Sequence, residues 1–142
     1  MKKSLLFTVI LLLVFSGTNL YAQKHGQARI DSLLQALPKQ REDTNKVTLL
    51  CEIANGYNSI QSPEIMKYAQ KANELALRLN WRYGITRSYN CLGCAYLIAQ
   101  NNAEARNWFI KGFEGWQKLG VSIYFADLSG MHNMLFVYCL KE

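Results

Sequence analysis

A chain of 142 residues has room for one domain and excludes a multi-domain enzyme. Sixteen Lys and Arg against ten Asp and Glu give a formal charge of +6. The basic residues are spread without a run, whereas a nucleic-acid surface clusters them, so no nucleic-acid partner is expected.

Residues 1–22, MKKSLLFTVILLLVFSGTNLYA, read as a secretory signal: Lys2 and Lys3, an apolar run from Leu5 to Phe15, a polar stretch, then Ala22 at the cut. Eleven residues, ten of them apolar and the other Thr8, fall short of the roughly 20 that span a bilayer core. Export to a periplasm or the exterior is the expectation, with no stable membrane span after cleavage; the alternative is tethering by an uncleaved signal. Cleavage removes two lysines and no acids, leaving +4.

Residues 23–43 hold one short helix and a linker, with Gly26 expected in the linker that follows the signal. Ile30, Leu33, Leu34 and Leu37 recur at helical spacing until Pro38 stops them. Asp43, Thr44 or Asn45 can cap the next helix, from about Lys46 to Ser59. The stretch QSPE restarts the chain, with Ser62 as N-cap and Pro63 in the first helical position, towards Leu79. A long helix covers about Arg82 to Ala99, QNN breaks it, and another runs from about Ala103 to Leu119, closed by Gly120. A last apolar helix is expected over about Ser122 to Leu140. No segment alternates with period two, so the fold class is all-α.

The helices repeat. Tyr68, Lys71, Ala72, Glu74 and Leu79 lie over Trp108, Lys111, Gly112, Glu114 and Leu119 at an offset of 40. Ile53 and Tyr57 lie over Leu92 and Tyr96 at 39. A period near 40 built of two helices signals a solenoid of stacked hairpins.

The second unit resembles a tetratricopeptide repeat (TPR), whose signature is W-x2-L-G-x2-Y followed by A-x3-F. Tyr89, Leu92, Gly93 and Tyr96 fit the first half, with Tyr in the place of Trp; Ala105, Phe109 and Gly112 fit the second. Leu50, Ile53, Ala54 and Tyr57, then Ile65, Ala69 and Ala72, give the first unit a looser match. Both units lack the closing proline and run long, as in the exported sensor segments of bacterial signalling proteins. The resemblance implies about two and a half hairpins over residues 44–142, behind an N-terminal capping helix. The units span about 46–80 and 82–120, with a half-repeat at 122–142. It also implies that Leu92 and Tyr96 project into the hairpin seam, while Gly93 and Ala105 allow close backbone approach.

YNCLGCAY, residues 89–96, carries a Cys-x-x-Cys pair. With Leu92 at zero, Tyr89, Gly93 and Tyr96 fall at about 60°, 100° and 40°, while Cys91 and Cys94 fall at about −100° and −160°. The thiols therefore face away from the seam, towards the inner groove or a neighbouring first helix. A dithiol oxidoreductase needs its cysteine at a helix N-terminus, and Cys91 is several residues inside. A zinc site needs four ligands, and Cys51, Cys139, His25 and His132 stand at irregular spacings. The expectation is structural thiols, with a disulfide from Cys51 to Cys91 or Cys94 left open. No triad, phosphate loop or metal set is present, so no enzyme activity, cofactor or metal is expected.

The implied function is binding a protein or peptide partner along the concave face. The first repeat would present Thr48, Glu52, Asn55 and Ser59, and the second Arg87, Asn90, Cys94 and Ile98. Chaperone-tail-binding TPRs clamp a terminal carboxylate with Lys, Asn and Arg; Asn55 matches one member, but Cys51 and Cys91 stand where Lys and Asn are wanted. That ligand is not carried over. The alternative function is a truncated sensing input domain that lacks its membrane helix and output domain. The apolar run from Met134 to Leu140 is expected to dock against a second copy or a partner.

Overall fold

The structure is a computed structural model, and it describes residues 26–120. The expected signal, His25, His132, Cys139 and the last apolar helix lie outside the described residues.

Five helices follow one another: α1 (residues 26–36), α2 (Thr44–Ser59), α3 (Ile65–Arg78), α4 (Arg82–Ile98) and α5 (Asn102–Lys118). A 3-10 turn at Leu37–Lys39, carrying Pro38, closes α1. There is no strand among the described residues. Consecutive helices pack from α2 to α5, and α2 also touches α4 directly. No described helix is long and apolar enough to cross a membrane.

Local chemistry sets the helix ends. Asp43 caps α2, its carboxylate accepting from the backbone N–H of Asn45 at 2.9 Å and of Lys46 at 3.1 Å. Replacing Asp43 by Ala is expected to cost about 1 kcal/mol, seen as a fall of several degrees in Tm. Asn101 caps α5 by accepting from Glu104 N–H. At α3 the helix proper starts later than the sequence suggests. Ser62 accepts from the N–H of Glu64 at 3.4 Å, the Ile65 N–H reaches back to the Ser62 carbonyl, and Ile65 opens the helix.

The C-terminal turns repeat with the sequence. Gln61, Asn80, Gln100 and Gly120 all have positive φ, and 61 to 100 and 80 to 120 reproduce the two offsets. The hydrogen bonds repeat too: Ser62 N–H to Tyr57 O recurs as Asn101 N–H to Tyr96 O, each at about 3 Å. Leu79 N–H to Leu75 O recurs as Leu119 N–H to Gly115 O. Two helix–turn–helix units therefore share one backbone plan, although three of the four left-handed positions carry no glycine.

The core runs along the array. Val47, Leu50, Ile53 and Ala54 of α2 meet Ile65, Ala69, Ala72 and Leu75 of α3, and Leu92 and Ala95 of α4 continue it to Ala105 and Phe109 of α5. Tyr57 stacks on Tyr68, and Tyr89 packs on Trp108, each with ring centroids 5.4 Å apart. The Ser88 hydroxyl, fully buried, donates to Ile85 O and stands 3.1 Å from Asn73 Oδ1 of α3, so it is satisfied where α3 meets α4.

Helix α1 corrects one expectation. Gly26 does not lie in an open linker: it is helical, and a Cβ there would meet Ile60 Cγ2 at 2.8 Å. Ile30 is fully buried against Gly56, whose missing Cβ would stand 2.7 Å from Ile30 Cγ1. A glycine in mid-helix costs about 1 kcal/mol relative to alanine. Here it leaves the space that Ile30 occupies, and so it seats α1 on α2.

Candidate functional site

A polar cleft of about 420 Å³ lies where α1, α2 and α4 converge. Glu52, Asn55 and Ser59 line it from α2 and Arg87 from α4. These four of the eight expected groove residues come together: steps of three and four place Glu52, Asn55 and Ser59 on one face of α2, and Arg87 reaches the same cleft from α4. Helix α1 adds Gly26 and Arg29, and Gly56 completes the wall.

The other four stand elsewhere. Thr48 is half-buried, and its hydroxyl donates to Thr44 O within its own helix. Asn90 turns towards α5, its Oδ1 against the bare Cα of Gly112. Ile98 packs against the core cluster. Cys94 belongs to that cluster and is 7 % exposed, so it is not presented on an open groove.

Charge in the cleft is unspent. The ion pairs among the described residues join Glu42 to Lys46 and Arg78, and Glu64 to Lys67. Arg29, Arg87 and Glu52 have no such partner among the described residues. The cleft thus offers two guanidinium forks and one carboxylate, with the Asn55 amide and the Ser59 hydroxyl beside them. Ser59 already donates to Asn55 O at 3.0 Å, which leaves its oxygen as an acceptor.

Directly behind Asn55 stand two thiols. Cys51 of α2 and Cys91 of α4 are buried and reduced. Cys91 Sγ lies 3.9 Å from Cys51 O and 3.7 Å from Asn55 Oδ1, and the two thiols hydrogen-bond to each other. Receiving that bond holds Cys51 below the usual thiol range against the opposing effect of burial, and the Arg87 charge adds to the lowering. Giving it, together with burial, pushes Cys91 well up. No three His, Cys, Asp or Glu stand together in a metal-binding group among the described residues.

A second, larger cleft of about 710 Å³ runs between α4 and α5, past Arg82, Tyr89, Lys111 and Glu114. It reaches Leu119, at the edge of the described residues, and holds none of the expected groove positions.

Sequence reasoning missed Arg29 and Gly56. Arg29 precedes Ile30 on a helix read only as a cap, and Gly56 carries no side chain to enter a periodicity count. Family models, curated proteins and solved structures offer no match to this chain.

Proposed function

We propose that the chain is a TPR-like interaction module that binds an extended peptide or a helix of a partner protein in the cleft between α1, α2 and α4. The observation that carries this reading is the convergence of Glu52, Asn55 and Ser59 with Arg87, from successive first helices, around unpaired charges of both signs. In a stacked-hairpin array the first helices line one concave face, and α2 and α4 occupy the equivalent places by the 39-residue offset. The repeated turn hydrogen bonds and positive-φ positions support the same array.

Such a cleft suits a peptide of mixed charge. Carboxylates would meet Arg29 and Arg87 through paired N–H donors, and a basic side chain would meet Glu52. Hydrogen bonds with the Asn55 amide and to the Ser59 oxygen would fix the peptide backbone. Export by the N-terminal signal would place this binding in a periplasm or outside the cell.

The test is selection of peptides from a random library on the purified chain, followed by affinity measurement. Arg87→Glu should weaken the selected peptides about tenfold or more, since it replaces attraction with repulsion at a partly buried charge. Arg106→Glu, on the exposed side of α5, should change affinity less than about twofold. Failure to enrich any peptide, or equal binding by the Arg87→Glu variant, would overturn the reading.

A further inference from the structure

The geometry points to Cys51 and Cys91 as a disulfide-forming pair, oxidised by exchange with a low-molecular-weight disulfide, that ties α2 to α4 behind the cleft. Three observations carry it. The residues are 40 apart in the chain yet face each other across directly packed helices. The polar neighbours of Cys91 Sγ, Cys51 O and Asn55 Oδ1, both belong to α2, so this thiol is turned towards the neighbouring helix. Both side chains are almost completely buried, Cys51 at 0 % and Cys91 at 2 % exposure, so a bond once made is shielded from reductant.

The chemistry runs in two exchanges. Cys51 loses its proton and attacks one sulfur of the external disulfide; a Cys51–S bond forms and the external S–S bond breaks, releasing one thiolate. Cys91 then loses its proton and attacks the Cys51 sulfur, expelling the second external thiolate. The two external thiolates take up the two protons. Two protein thiols are oxidised by two electrons and one external disulfide is reduced to two thiols. Burial places the exchange during folding, or during an opening of the α2–α4 seam, before the thiols are covered.

The bond acts on the cleft because its neighbours line it. Asn55 is one helical turn from Cys51, and Arg87 is one turn before Cys91. Fixing the sulfurs to each other fixes the spacing of the two helices that carry these side chains. The oxidised chain therefore holds one cleft width, and the reduced chain can vary it. The pairing is independent of what the cleft binds, and its test needs no ligand.

The full chain is unfolded, refolded in a mixture of reduced and oxidised glutathione, and then alkylated in denaturant. Intact mass should show two of the four cysteines protected, and proteolysis should yield one peptide joining Cys51 to Cys91. The Cys94→Ser/Cys139→Ser variant should form the same bond, and its Tm should fall by about 10 °C when it is refolded fully reduced. If that variant fails to fold, the wild-type peptide map decides alone. Four alkylated cysteines, or a map that joins Cys91 to Cys94 or to Cys139, would overturn the proposal.

Discussion

Gly93→Leu is expected to melt at least about 10 °C below the wild type. Gly93 is buried on α4 with the ring of Phe109 lying over it from α5. A Cβ there would stand 2.5 Å from Phe109 Cδ1 and 2.7 Å from Cζ, closer than real Cβ contacts come. Phe109 is itself 3 % exposed, so the ring has nowhere to go without moving α5. Overpacking of this kind costs about 1–3 kcal/mol and occasionally more. A leucine places three further carbons beyond the clash, so the upper end applies. That is a large share of a total stability of about 5–15 kcal/mol. Gly26→Leu makes the useful comparison. Its Cβ meets only Ile60 Cγ2, the end of a half-buried side chain that can rotate away, so Gly26→Leu should lower the midpoint less than Gly93→Leu does, though more than it would in an unpacked linker. Thermal melts of both variants decide; equal midpoints would mean that α4 and α5 do not cross at Gly93.

The helix limits were legible because their signals are local. Asp43, the QNN break and Gly120 act within one turn of themselves, and α2, α4 and α5 each begin and end within two residues of the expected positions. The first described turn of α1 was not legible. Gly26, Gln27 and Ala28 add nothing to an apolar stripe, and what marks the turn is the 2.8 Å hydrogen bond from Gln27 Nε2 to Asp31 Oδ1.

The thiols show a different limit. Projection of a single helix placed Cys91 away from the α4–α5 seam, and the structure turns it towards α2. It could not say what covers the far side. In an isolated hairpin that side is surface; here α2 packs directly on α4 and Cys91 meets Cys51. Asn90 fails for a related reason. A polar residue off the apolar stripe reads as groove-facing, yet Gly112 leaves a gap on α5 that a short amide can enter. The same absence of a side chain at Gly56 and Gly112 thus decides two contacts that no hydrophobic pattern records.

Ile30→Asp is expected to free α1 from the rest of the molecule without unfolding it. Ile30 is fully buried, and its partner is the bare surface of Gly56. An ionised carboxylate cannot be left there without a partner, and loss of the isoleucine contact alone is worth about 2–5 kcal/mol. The remaining hold on α1 comes from Leu33 and Leu34, both only partly buried. Helices α2 to α5 keep their own continuous core, which Ile30 adjoins at one end of the array, so the loss should stay local. Hydrogen exchange should then show amides 26–36 exchanging at unfolded rates while α3 and α4 keep their protection. Ile30→Val, which removes one methylene, should leave α1 protected at a cost of about 0.5–1.5 kcal/mol. Because Arg29 sits beside Ile30 and lines the cleft, the Asp variant should also weaken peptides selected on the wild type, even though α2 and α4 are untouched. A variant in which α1 stays protected, or in which all five helices lose protection together, would show that Ile30 is not the residue that docks α1 as a separate unit.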